Sequence, residues 1–234
     1  LECGGSDALS GITANPLVGV VSDKIAAMGG SVIMTEVPEM FGAEQILMSR
    51  SADSGIYKKI IDMINGFKDY YIKNGESVSE NPSPGNKEGG ITTLEEKSLG
   101  CIQKGGSCVI NDVIKYGGKA AQKGLTLLEG PGNDIVAQTA LAAAGANIIL
   151  FTTGRGTPLG AAVPTIKIST NTALARNKPN WIDFDAGELL SGKDIDALSD
   201  SLIDLIIDVA SGKKTKNEIN GYRDFAIWKN GVTL

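Results

Sequence analysis

Asn147-Ile-Ile-Leu-Phe-Thr-Thr-Gly-Arg-Gly-Thr-Pro158 joins an apolar run to an arginine held between two glycines. The run over 147–152 is short, continuous and closed by glycine and proline, as buried parallel strands are. Upstream, Asp134 to Ala144 reads as a helix of small residues that Gly145 ends, and downstream Thr165-Ile-Lys-Ile-Ser169 is a second short strand. Ser31 to Glu36 and Leu125 to Glu129 repeat the strand pattern. Between them Pro16 to Met28 places Leu17, Val21, Ile25 and Met28 on one helix face, and Ile56, Ile60, Ile64, Phe67 and Tyr71 share another. A further helix from Asp194 to Ser211 stops at Gly212. Strand and helix in alternation predict βαβ units: an α/β fold with a mainly parallel, Rossmann-like sheet and helices on both faces. Glu76 to Thr93 breaks the pattern with a long polar loop containing two prolines and three glycines. A loop of that length is a lid or a linker between lobes, and its composition favours a lid.

The 234 residues carry 27 acidic against 22 basic side chains, a formal charge of −5. That balance excludes a nucleic-acid or anionic-membrane binder, both of which need clustered positive charge. No apolar run is long enough to span a membrane and no basic-then-apolar leader is present. Histidine is absent. Imidazole proton shuttles, Ser-His-Asp triads and HExxH zinc sites are thereby excluded within this chain, leaving Lys, Asp, Glu, Tyr and Cys to move protons. Cys3, Cys101 and Cys108 are odd in number and lack CxxC spacing, which fits a reducing, cytoplasmic setting better than a disulfide framework. Their spacing matches no compact iron–sulfur motif, and Cys101 falls in a helical pattern. The opening Leu1-Glu2-Cys3-Gly4-Gly5 reads as the end of a strand entering a glycine turn, so the chain is expected to belong to a longer polypeptide.

Several strand ends carry chemistry. Cys3 to Pro16 supplies glycines for close backbone approach, the polar groups of Ser6, Asp7, Ser10 and Thr13, and Asn15-Pro16 as a helix start, an anion-ready N-terminus. Glu36 ends a strand, where open α/β sheets place ligands, and Glu39 and Glu44 follow at a helix start. Clustered carboxylates bind divalent metal or act as bases, whereas Glu44 equally suits a helix dipole. Lys87 is the cation of the long loop, among Asn86 and its glycines. Arg155 presents a fork suited to a carboxylate, and Lys167 to Thr172 ends another strand with hydroxyl and amide groups. Trp181 and Trp228 read as packing anchors, and Lys213-Lys214-Thr-Lys216 as a solvated tail.

CGGSDALSGITANP, TEVPEMFGAE, ENPSPGNKEGGITTLEEKSLG, EGPGND, FTTGRGTP, VPTIKISTNTALA and WIDFDAG together resemble the altronate/galactarate dehydratase family. The match runs from Cys3 to Gly187, with a looser one at the closing GVTL, and TEVPEMFGAE with GITTLEEKSLGC is nearer the altronate branch. Leu159 departs from the aromatic that the family often places after Thr-Pro. The resemblance implies a hydro-lyase that turns D-altronate into 2-dehydro-3-deoxy-D-gluconate in cytoplasmic hexuronate catabolism, dependent on iron(II) (Fe2+) with manganese (Mn2+) as a substitute. It implies that residues 1–234 are the C-terminal catalytic α/β domain, a small histidine-containing N-terminal β domain being absent; a homo-oligomer stays open. On this reading Arg155 and the Ser6-to-Asn15 loop, with Asp7, Thr13, Asn86, Thr153, Gly154, Thr170 and Asn171, bind the sugar acid. Glu36, Glu39 and Asp7 hold the metal or move the proton, and Lys87 is the base or stabilises the enediolate. A galactarate dehydratase or related lyase, a non-catalytic sugar-acid module and a phosphate or nucleotide binder are the alternatives.

Overall fold

The computed structural model describes residues 1–78 and 81–232. Its strands are β1 (Glu2–Cys3), β2 (Ser31–Met34), β3 (Ile110–Ile114), β4 (Gly124–Leu128), β5 (Ile149–Thr153), β6 (Thr165–Ser169) and β7 (Phe184–Asp185). The helices are α1 (Ala14–Ala27), α2 (Glu44–Met48), α3 (Ser54–Lys73), α4 (Pro84–Glu88), α5 (Leu94–Ile102), α6 (Asp134–Ala143), α7 (Thr172–Asn177), α8 (Ile195–Ala210) and α9 (Lys216–Asn220). Each strand expected from the apolar runs is present, and the strand pairs are parallel. The α/β class therefore stands, but the single sheet becomes two, in the orders β1-β5-β6-β7 and β2-β4-β3.

The split has a local cause. The backbone nitrogen of Leu1 donates to Ile33 O at 2.6 Å, so β1 starts beside β2. Two residues later the Cys3 N–H is taken at 3.0 Å by the side-chain Oε2 of Glu36 instead of a carbonyl. Glu36 has φ +70°, a left-handed conformation costly for a non-glycine residue, and it turns β2 away. An apolar run shows that a strand is buried but not which strand lies next to it.

Each sheet has its own core. Met34, Leu125 and Leu127 pack with Ile60, Ile64 and Phe67 of α3. Ile166 and Ile168 pack with Leu17, Val18 and Val21 of α1 and Leu198 and Leu202 of α8. A third cluster joins them, with Ile33 and Leu128 from one sheet against Ile149 and Phe151 from the other. Helix α1 ends at Ala27, so Met28, expected on the buried face, is exposed. The stretch expected as a polar loop contains α4, capped by a reciprocal pair of Ser83 and Asn86; Ser79 and Glu80 lie outside the described residues. It folds back onto the turn after β1 through Ala8 N to Gly89 O at 2.9 Å, which makes it a wall of the site and not a linker.

Candidate active site

Three stretches meet where β1 and β2 end. Cys3 closes β1, Glu39 sits on the short 3-10 turn Val37–Met40 after β2, and Lys97 and Cys101 lie four residues apart on one face of α5. Glu39 Oε1 accepts from Lys97 Nζ at 2.6 Å. Its Oε2 lies 3.0 Å from Cys3 Sγ and 2.9 Å from Cys101 Sγ, and the two sulfurs are 3.5 Å apart. Lys97 Nζ is also 3.2 Å from Cys101 Sγ and 3.3 Å from Ser6 Oγ. Behind this group Lys104, from the turn Gln103–Gly105 that prolongs α5, donates to Glu36 Oε2 at 3.1 Å. Glu2 and Glu36, both fully buried, each keep one carboxyl oxygen without a partner among the described residues.

So many ionisable groups out of water shift one another. Burial raises the pKa of Glu36 and Glu39, with neighbouring negative charge adding to it and the lysines opposing. The Cys101 thiol hydrogen bond, together with Lys104 and Lys97, pulls Cys3 down against its own burial, while the same bond and burial hold Cys101 up. The pair thus gives up one proton readily and holds the other between the two sulfurs. Burial works against charge on Lys97, but the sulfurs and glutamates around it keep the ammonium well above its usual pKa. Buried ion pairs of this kind add little to stability on balance, so their place in the interior points to a use other than holding the fold.

Cys3, Glu39 and Lys97 form one wall of a cavity of about 380 Å³, within the range of small-molecule sites. Asn86, Arg155 and Asp134 line it elsewhere. Asp134, in the first turn of α6, is pushed up to about 7 by burial and then by the negative Glu39 and Cys3. Arg155 is half-exposed at the mouth, donating to Gly85 O at 3.0 Å and pairing with Glu88 at 3.1 Å. A second cavity, of about 440 Å³, lies on the other side of Lys97 and reaches Ser6, Asp7, Asn15 and Cys101.

The residues read from sequence fall into three sets. Glu39, Asn86 and Arg155 line the first cavity. Asp7, Thr13, Asn15, Thr153, Gly154, Thr170 and Asn171 do converge, but mostly on one another. Asp7 accepts from Ser10 N at 3.0 Å and Thr170 Oγ1 at 3.0 Å, and a methyl on Gly154 would come within 2.3 Å of its carboxyl. Thr13 Oγ1 donates to Thr170 O at 2.8 Å, Asn15 bridges Thr152 and Gly100, and Asn171 caps α7. Asn15 therefore does not cap α1, which begins at Ala14. The proposed metal set Glu36, Glu39 and Asp7 is divided: Glu39 stands with the sulfurs, Glu36 with Glu2 and Asp134, and Asp7 with neither. Lys87 is exposed on α4 and lines neither cavity, and the lysines beside the glutamates are Lys97 and Lys104. Those two lysines escaped the sequence reading, which named the cysteines but not as part of the site. The signal that could have found them is the Lys97, Cys101, Lys104 spacing of i, i+4, i+7; the sequence reading weighed the cysteines only as iron–sulfur ligands and set them aside because their spacing matches no compact motif and Cys101 falls in a helical pattern. Glu44 pairs with Lys68 at 2.7 Å, and Cys108 lies apart, bonded to Asp23.

Two donor groups have a metal-holding arrangement, Cys3 with Glu39 and Cys101, and Glu2 with Glu36 and Asp134. The first fits a divalent transition metal. Two thiolates and a carboxylate carry three negative charges, which Lys97 and a dication balance, and the set opens on a cavity that leaves coordination positions for a ligand. The second is all-oxygen, with Glu2 and Glu36 fully buried, Glu36 beside Lys104, and Asp134 reaching the cavity.

Fold and site together are those of a parallel α/β protein with a buried acid, thiol and lysine centre facing a polar cavity. A sequence profile described as "D-galactarate/Altronate dehydratase, C-terminal" matches residues 1–233, and the chain belongs to that family. It is 57% identical over its full length to altronate dehydratase of Escherichia coli (strain K12) and 58% to that of Bacillus subtilis (strain 168). Galactarate dehydratase (L-threo-forming) of E. coli K12 is 40% identical over 92% of the chain and 41% of its own length. The chain spans about half of the altronate dehydratases it matches, 47% of each.

Proposed function

We propose that this chain is the catalytic part of a cytoplasmic altronate dehydratase, removing water from D-altronate to give 2-dehydro-3-deoxy-D-gluconate. The observation that carries the reading is the Lys97–Glu39 pair, buried beside two sulfurs and facing a cavity with Arg155 at its mouth. Loss of water from an aldonate begins with a proton removed α to the carboxylate and ends with departure of the 3-hydroxyl. Negative charge builds on the carboxylate in the first step, and preorganised cations in a dry site stabilise it far better than water does. Arg155 exchanges Glu88 for the substrate carboxylate at the mouth, and Lys97 holds its fixed positive charge deeper in. Asp134, the carboxyl facing this cavity from α6, takes the proton. Cys3, Glu39 and Cys101 would hold iron(II), or manganese(II), which when bound supplies Lewis acidity to the carboxylate and the leaving hydroxyl. Family membership and the 47% coverage of the altronate enzymes support a further N-terminal region as this chain's partner.

The thermal midpoint of the chain, measured anaerobically with D-altronate, galactarate or ATP and with or without iron(II), tests the reading. A ligand at a hundred times its Kd stabilises by about 2.7 kcal/mol, a shift of a few degrees. Altronate with iron(II) is expected to give that shift and to yield a 2-keto acid. A shift with galactarate alone moves the substrate to the alternative dehydratase, binding without product leaves a binding module, and a shift with ATP alone overturns the reading.

A further inference from the structure

The two sulfurs that stand beside Glu39 come from positions 98 residues apart in the chain, yet they lie 3.5 Å from each other. They face different spaces: Cys3 lines the cavity that holds Arg155, and Cys101 lines the one beyond Lys97. A small neutral oxidant entering either cavity reaches a sulfur without unfolding the site. The Lys97 ammonium lies 3.2 Å from one sulfur and 3.8 Å from the other. A disulfide needs its sulfurs about 2.05 Å apart, so the pair must close by roughly 1.5 Å.

The geometry points to Cys3 and Cys101 as a reversible oxidation site, at which a hydroperoxide joins the two sulfurs in a disulfide and shuts the site down. The Cys3 sulfur attacks one oxygen of hydrogen peroxide and the O–O bond breaks. The expelled hydroxide takes the thiol proton and leaves as water, giving a sulfenic acid on Cys3. The Cys101 sulfur then attacks that sulfur, the S–S bond forms, and the sulfenic oxygen departs with the Cys101 proton as a second water. Two thiols are oxidised and one peroxide is reduced to two waters. Resting here on the proposed function, the bridge removes both thiolates from the metal set and leaves Glu39 alone, so metal and disulfide exclude each other. Cys108, bonded to Asp23 away from the pair, takes no part.

The test uses the whole chain, stripped of metal by a chelator and treated with a few equivalents of hydrogen peroxide. Cleavage after Lys24, Lys97, Lys104 and Lys115 puts the three cysteines on separate peptides. Non-reducing peptide mass mapping is expected to find the Cys3 and Cys101 peptides joined, with the thiol titre falling from three to one and returning with dithiothreitol. Cys108→Ser is expected to keep the link. Sulfinic or sulfonic acid on unlinked Cys3 or Cys101, a bridge through Cys108, or an unchanged titre overturns the proposal. Repeating the treatment after loading manganese(II), which avoids iron–peroxide radicals, is expected to slow the bridge at least tenfold. A bridge that forms at the same rate with manganese bound keeps the oxidation site and removes the metal from these sulfurs.

Discussion

Lys97 and Lys87 differ in surroundings more than any other pair of lysines the functional reading has to choose between. Lys97 is enclosed by Glu39, Ser6 and both sulfurs, whereas Lys87 is exposed on α4. Lys97→Met is therefore expected to lower kcat for D-altronate by roughly a hundredfold to a thousandfold, the usual loss for a preorganised charge at a reacting anion. Lys87→Met should stay within about threefold, by the same comparison. Steady-state assays of both variants check the pair, and equal losses would contradict the placement. Lys167 gives a separate expectation for stability. Its ammonium is bonded to Thr157 O and lies over the Phe151 ring, and burial lowers its pKa to about 8, with Glu2 and Asp134 opposing. The unfolded lysine keeps its ordinary pKa of about 10.4, so between about 8 and 10.4 the unfolded chain binds more protons. The native state is thus penalised in full below pH 8 and the penalty fades as pH rises. Lys167→Met is expected to unfold at higher urea than the parent at pH 7, by about 1–3 kcal/mol, and to lose that advantage near pH 10.

At the scale of elements, α5 and its 3-10 extension carry three of the groups that matter, Lys97, Cys101 and Lys104, and α1 keeps them in place. Gly19 of α1 lies so near that extension that a Cβ would come within 2.3 Å of Gln103 O. Gly19→Ala must push the turn outward, at a cost of about 1–3 kcal/mol for overpacking. Because Cys101 stands two residues before that turn, metal affinity is expected to fall along with the melting temperature; a loss of stability with affinity unchanged would show that the turn does not position the site. This is also where sequence legibility ended. Periodicity located α1, α3, α8 and the buried strands, since burial writes itself into residue type every two or 3.6 positions. Pairing left no such trace: Val32 to Met34 suits β1 or β4 equally well, and the Glu36 carboxylate that divides the sheets is one long-range bond. Glu39 and Arg155 were legible because charged residues just past buried strands are conspicuous, and Asn86 because it lies in a long polar loop that interrupts the pattern. Lys97 and Cys101 were hidden by a good helix, in which a cysteine looks like packing and a lysine like a solvated face.

For the molecule as a whole, the proposed metal group would draw Cys3 from one sheet, Glu39 from the turn leaving the other, and Cys101 from α5, which packs on that turn and on α1. Binding of iron(II) or manganese(II) should therefore raise the midpoint of the entire chain by a few degrees at saturating ion, and a chelator should reverse it. Cys101→Ser is expected to abolish the metal-dependent shift while the metal-free midpoint changes far less. Among the described residues no helix is long and apolar enough to cross a membrane. The seam of Ile33, Leu128, Ile149 and Phe151 then takes on a second meaning. It sets the spacing between two half-molecules whose edges each carry part of the proposed metal group. Trimming a methyl group from Ile33, Leu128 or Ile149 is expected to leave both halves folded but to let them sit slightly out of step. If the group binds the proposed ion, its affinity becomes a gauge of that alignment, sensitive to slack that neither half would register by itself.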